Sequence, residues 1–224
     1  MIVIDDYIKD KSILNRIKED STFFPGIMNS EEKLVSEPNS YHYEESSCFA
    51  PYMFWDGWWR SDTNTLKKEI IKQIWEPHLN YPLEDILGFE YWTRTYNAGQ
   101  YLPIHVDEDT FLYEKERIYA GPIAGSIYYG CENEEGGFLE IHPKKLVDHT
   151  KDVLEQDMVK DYIAPIELRE RIAYKSNRLI MFDAGHVLHS ATAAKSGVRE
   201  VMVVNVWHKS VPPMALKIGS FYYE

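Results

Sequence analysis

The sequence predicts a mainly β chain with flanking helices, an α+β arrangement in which the strands build a sandwich or barrel. Two observations predict it. From Leu87 onward the chain is a series of short runs rich in Val, Ile, Phe, Tyr and Trp, each bounded by Gly, Asn, Asp or Pro: FEYWTRTY, LPIHVDED, GSIYYG, GFLEIHP, NRLIMFDA and REVMVVNVWH. Two earlier segments carry helical spacing of apolar residues instead. With no internal repeat and no linker-like stretch, the 224 residues read as a single domain, residues 1–86 giving helical and loop support and 87–210 the β core.

In order, IVIDDYIKDKSILNRIKED reads as a short strand followed by a helix. Ile8, Ile13, Leu14 and Ile17 form its apolar stripe, with Asp5 or Asp6 as the cap. Residues 21–60 mix Pro, Gly, Ser and Asn with aromatics, which predicts loops and short extended pieces. DTNTLKKEIIKQIWEPHL reads as a second helix, with Leu66, Ile70, Ile71 and Ile74 on one side and Pro77 ending it. The six β-type runs follow, interrupted near 143–173 by a polar, charged insertion expected to be partly helical.

Composition excludes several functions. A formal charge of −12 argues against a nucleic-acid partner, because gripping phosphates needs a net basic face. There is no run of eighteen apolar residues, so no membrane span is expected. The acidic residues directly after the short apolar start fit neither a signal nor a transit peptide. Cys48 and Cys131 are far apart and read as packed, reduced thiols, which suits a cytoplasmic protein. Oligomeric state is not legible.

The chemistry lies in two stretches. In IHVDED, His105 and Asp107 stand at i and i+2 of an expected strand, so both side chains leave the same face. One imidazole and one carboxylate are two members of the 2-His-1-carboxylate set that leaves open positions on non-haem Fe(II). In GHVLHSATAAKSGVRE, His186 and His189 are both candidates for the third ligand. Arg199 follows His189 by ten residues, after the turn signal KSG; a hairpin of that length would return it near the metal. A guanidinium there suits a carboxylate, which it binds with two parallel hydrogen bonds. By strand alternation Asn205 and Trp207 share its face.

These residues resemble the Fe(II)/2-oxoglutarate-dependent oxygenases, and most closely the prolyl 4-hydroxylase-like branch. The resemblance rests on His105, Asp107, His189, Gly197 and Arg199 in their spacing, on TYNAGQYLPIHVD before and through the metal motif, on SIYYG, on GGFLEIHP and on the opening VIDDYI. It implies a double-stranded β-helix, a cupin-like jelly roll with the N-terminal helices packed on one sheet. It implies that His105, Asp107 and His189 hold iron, that Arg199 and Tyr129 hold the distal carboxylate of 2-oxoglutarate, and that Tyr96 lines the cosubstrate pocket. Tyr128, next to Tyr129, would face the other way.

As activity, the resemblance implies hydroxylation of an unactivated C–H bond with O2, release of succinate and CO2, and ascorbate as a supporting reductant. Peptidyl proline is the leading substrate, with a free amino acid or other small metabolite as the alternative. The ligand set alone also admits a zinc-dependent hydrolase, and the barrel alone a non-catalytic binding module. His186 is left as a neighbour of the site. FWDGWW reads as core or as a wall of the cleft, and 108–119 as a lid.

Overall fold

The computed structural model describes residues 1–24, 53–130, 135–145 and 165–213. Cys48, Cys131 and the central part of the expected insertion (146–164) lie outside the described residues. The elements in chain order are β1 (Ile2–Ile4), α1 (Lys11–Glu19), β2 (Met53–Trp55), α2 (Leu66–Trp75), β3 (Ile86–Asn97), β4 (Leu102–His105), α3 (Thr110–Glu116), β5 (Ala124–Tyr129), β6 (Phe138–Lys145), β7 (Glu170–Ala173), β8 (Arg178–Phe182), β9 (Val187–Ala191) and β10 (Val198–His208).

Two sheets form, with antiparallel pairing between all neighbouring strands. One has six strands in the order β1-β8-β5-β10-β3-β2, the other four in the order β4-β9-β6-β7. From β3 onward the chain crosses repeatedly between them: β3 lies in the larger sheet, β4 in the smaller, β5 in the larger, β6 and β7 in the smaller, β8 in the larger, β9 in the smaller and β10 in the larger. This crossing places consecutive segments on opposite walls, the wrapped double-sheet arrangement of a jelly roll.

Each face of the larger sheet has its own core. On the outer face Ile13 and Ile17 of α1 and Ile70, Ile71 and Ile74 of α2 pack on Phe89, Tyr91, Leu179, Met202, Val204 and Val206. Between the sheets Tyr129, Ile180, Phe182 and Val201 meet Leu139 and Val187 of the smaller sheet. The alternation along β10 decides which residues face which core: the even residues 202, 204 and 206 turn to the helices, and the odd residues, Arg199, Asn205 and Trp207 among them, face inward.

Caps explain where the helices begin. The Asp10 carboxylate accepts from the Ser12 backbone N–H at 2.7 Å, so α1 starts one turn later than a cap at Asp5 or Asp6 requires. Asp5 is instead paired with Arg178 and Lys175, an ion pair that ties the end of β1 to the start of β8 and holds its carboxyl well below the usual range. The Thr65 hydroxyl accepts from the Lys68 N–H at 3.3 Å and caps α2. The aromatic cluster after β2 is core: Trp55, Trp58 and Trp59 all pack on Phe89 on the helix side.

Three elements depart from the expected pattern. His189 lies in a strand of its own, β9, beyond the six expected runs. The 108–119 segment contains a helix, α3, capped by Asp109, whose carboxylate accepts from the Leu112 N–H at 3.0 Å. The end of the expected insertion is strand β7, paired with β6, because pairing with the smaller sheet buries Ile172 against Leu139 despite a charged sequence. The link from His189 to Arg199 is also not a hairpin: β9 and β10 belong to different sheets, and the chain crosses between them through Gly197, whose φ of +78° favours glycine.

Candidate metal and carboxylate site

β4 and β9 bring the two histidines together. His105 and His189 are direct cross-strand partners, with ring centroids 4.3 Å apart. β4 ends at His105, and the chain then turns so that the Asp107 N–H donates to the Ala184 carbonyl at 2.9 Å. Asp107 Oδ1 thereby lies 3.6 Å from His105 Nε2 and 3.6 Å from His189 Nε2. All three ligand atoms are within 4.8 Å of one another.

The tautomers suit metal binding. His105 Nδ1 lies 2.7 Å from the Pro103 carbonyl and His189 Nδ1 2.9 Å from the Val187 carbonyl. A carbonyl accepts only, so each Nδ1 carries the hydrogen and donates, leaving each Nε2 lone pair aimed at the shared space. Metal bonds of about 2.1 Å permit ligand atoms up to about 4.2 Å apart, and 3.6 Å falls inside that limit.

Charge states agree with that geometry. Burial and then the neighbouring His189 push the His105 imidazole down to about 4, against the opposing effects of Asp107 and the Pro103 carbonyl, so it is neutral at pH 7. Burial works against ionised Asp107. The adjacent His189 and His105 imidazoles and the Asn205 amide outweigh it, and the carboxyl stays below its ordinary value. A neutral imidazole at His105 and an ionised carboxylate at Asp107 are the forms that ligate a divalent metal. His186 is not in the cluster: its Nδ1 is 2.8 Å from Asp183 Oδ1, and its ring packs toward Tyr119.

Arg199 forms the second part of the site. It is 2% exposed and stands opposite Tyr96 in the β10–β3 register, its guanidinium 4.2 Å from the Tyr96 ring centroid and 4.8 Å from that of Tyr174. Nη1 donates to the Tyr174 hydroxyl, and the Tyr174 hydroxyl lies 2.8 Å from the Thr192 carbonyl and 3.0 Å from that of Phe138. Nε and Nη2 are buried with no hydrogen-bond partner. A desolvated guanidinium with two unfilled donors on one edge is an anion-binding group.

Tyr129 lies on the same inner face, in the core between the sheets and 5.2 Å from the Tyr174 ring. Tyr128 faces outward, where its hydroxyl donates to Asn177 Oδ1 at 3.3 Å.

Two residues of the site escape the sequence reading. Tyr174 has no motif of its own; its one signal is the GGF stretch, because a Cβ at Gly137 would lie 2.5 Å from the Tyr174 ring, so this glycine makes room for that tyrosine. Glu90, flanked by the apolar Phe89 and Tyr91, faces inward opposite Asn205 and accepts the Trp207 indole N–H at 2.9 Å.

No protein-family model matches the chain. No curated protein matches it either. Among solved structures it is similar to a prolyl-4-hydroxylase from Pseudomonas putida, with a TM-score of 0.53 and 12% identity over 93% of this chain and 92% of that one. An oxidoreductase of the 2OG-Fe(II) oxygenase family from Burkholderia pseudomallei aligns at a TM-score of 0.36 and 10% identity, over 65% of this chain and 52% of that one. At 12% identity the first likeness is one of fold: the chain has the jelly-roll architecture, mainly β with helices on one sheet.

Proposed function

We propose that the protein is an Fe(II)/2-oxoglutarate-dependent dioxygenase that hydroxylates an unactivated C–H bond, releasing succinate and CO2, with a proline as the substrate residue. The observation that carries the reading is the pairing of a His-Asp-His cluster with a buried arginine whose Nε and Nη2 have no partner. A zinc hydrolase has use for the cluster and none for the arginine.

The residues fit the groups this chemistry needs. His105, Asp107 and His189 would hold the iron, and three protein ligands leave positions for cosubstrate and O2. Bound iron supplies the oxidising power, through decarboxylation of 2-oxoglutarate with O2. The chain supplies orientation. Arg199 would take the distal carboxylate through its two open donors, while Tyr174 holds Nη1 and the Tyr96 ring lies against the guanidinium. Packing of Tyr129, Tyr174 and Phe182 between the sheets keeps water from that carboxylate, which strengthens the pairing.

Equilibrium binding of 2-oxoglutarate to the Fe(II)-loaded protein without oxygen tests the reading. Binding that requires iron and weakens in Arg199→Ala supports it; binding indifferent to both contradicts it. Product analysis against proline-containing peptides and free proline then tests the choice of substrate residue.

A further inference from the structure

The inner face of β3 and β10 carries a charged group that neither the metal cluster nor the arginine uses. Glu90 stands opposite Asn205 on β10 and opposite Phe54 on β2. Its Oε2 is fixed by the Trp207 indole, and Asn205 hydrogen-bonds both to Glu90 and to the metal-ligand candidate Asp107. One amide side chain therefore separates this carboxyl from the metal position.

Glu90 lacks a counter-charge. Its interactions are those with Trp207, Asn205, Asp107 and Asp109, and among the described residues no lysine or arginine pairs with it. The two charged neighbours are both acidic, and a metal would be shared with Asp107 rather than with Glu90. Beside it, Asn205 is 2% exposed, and its Oδ1 has no hydrogen-bond partner. Burial and the neighbouring acids push the Glu90 carboxyl up to about 7 despite the two hydrogen bonds to it. Glu90 is half-buried, and a glutamate kept for packing alone gains nothing from standing beside other acids. A carboxylate oriented by two donors and lacking a cation is complementary to a cation that arrives with the ligand.

We propose that Glu90 is a specificity-determining residue that receives a protonated amine of the substrate and so sets which carbon lies beside the metal. This rests on the oxygenase reading above and adds the chemistry of the substrate to it. The amine has two sources, the nitrogen of a free amino or imino acid and a lysine side chain in a peptide.

The test compares matched pairs of compounds: L-proline with N-acetyl-L-proline, L-lysine with its doubly acetylated form, and the blocked peptide acetyl-Lys-Pro-Gly-amide with the same peptide acetylated on lysine. Stimulation of succinate formation is expected to be roughly tenfold or more greater for the amine member of at least one pair, the scale of a charge-assisted hydrogen bond. The pair that responds identifies the source. In Glu90→Gln the discrimination within that pair disappears, and in Glu90→Asp part of it returns. A second readout needs no turnover: in zinc-substituted protein the Trp207 indole N–H resonance shifts on titration with the amine and stays put in Glu90→Gln.

Equal response within every pair, no response to any compound while iron-dependent succinate formation is intact, or discrimination that survives Glu90→Gln overturns the assignment. Absence of iron binding and of basal succinate formation overturns the oxygenase reading instead, and the Trp207 resonance still reports whether Glu90 binds an amine.

Discussion

His105 and His189 are paired across β4 and β9 with both Nε2 atoms 3.6 Å from the same oxygen of Asp107. Strand pairing, rather than a flexible loop, sets the spacing of the two imidazoles, so the cluster is organised before any metal arrives.

Replacing either cross-strand histidine removes one of the three side chains proposed to hold iron, and no other described residue joins that cluster. His105→Ala and His189→Ala are expected to abolish stoichiometric Fe(II) binding, measured by metal analysis after anaerobic loading. His186→Ala retains it, because His186 is engaged with Asp183.

Asn205 hydrogen-bonds to Asp107. Partners of metal ligands are worth about 10–100-fold in metal affinity. Asn205→Ala is therefore expected to weaken Fe(II) binding by that factor in a chelator competition, with the fold intact by circular dichroism. Unchanged affinity means that the bond to Asp107 does not matter.

Tyr174 holds Arg199 in place and reaches the Phe138 and Thr192 carbonyls. Tyr174→Phe removes these bonds at a cost of about 1–3 kcal/mol in denaturant unfolding. It is expected to raise the 2-oxoglutarate requirement several-fold while Fe(II) affinity holds. A fall in iron affinity of the same size would place Tyr174 in the metal site instead.

Glu90 gives the fold a pH dependence of known sign. Its carboxyl titrates near 4.5 when unfolded and at about 7 when folded, so between those values the folded state binds more protons. The group's contribution to stability is present below about 4.5 and is lost as pH rises through about 7. Glu90→Gln removes the titration, so its stability relative to wild type should climb across that window, by roughly 1–3 kcal/mol, and level off above it. A constant difference between the two proteins would contradict this.

Much of the site was legible because its residues follow strand periodicity and fixed spacings. His105 with Asp107, and His189 with Arg199, could be paired on sequence intervals, and the structure brings His105, Asp107 and His189 together. Tyr128 and Tyr129 could be separated only by knowing which face of β5 meets the second sheet. Glu90 and Tyr174 were not legible, because each reaches the site across strands far apart in sequence: Glu90 through Asn205 and Trp207, and Tyr174 through a gap left by Gly137. Strand β7 was obscured for a related reason, its charged residues hiding the apolar Ile172 that seats it against Leu139. Glu140 shows how the charge is absorbed: it is buried on β6 and pairs with both Arg169 and Arg171.

Formation of succinate from 2-oxoglutarate by purified protein supplied with Fe(II), ascorbate and O2 decides whether the chain is an oxygenase. Succinate is expected to depend on both iron and O2, to vanish in His189→Ala and to demand far more 2-oxoglutarate in Arg199→Ala. An iron-loaded protein that forms no succinate, or one that forms it equally well without Arg199, is not an oxygenase of this kind.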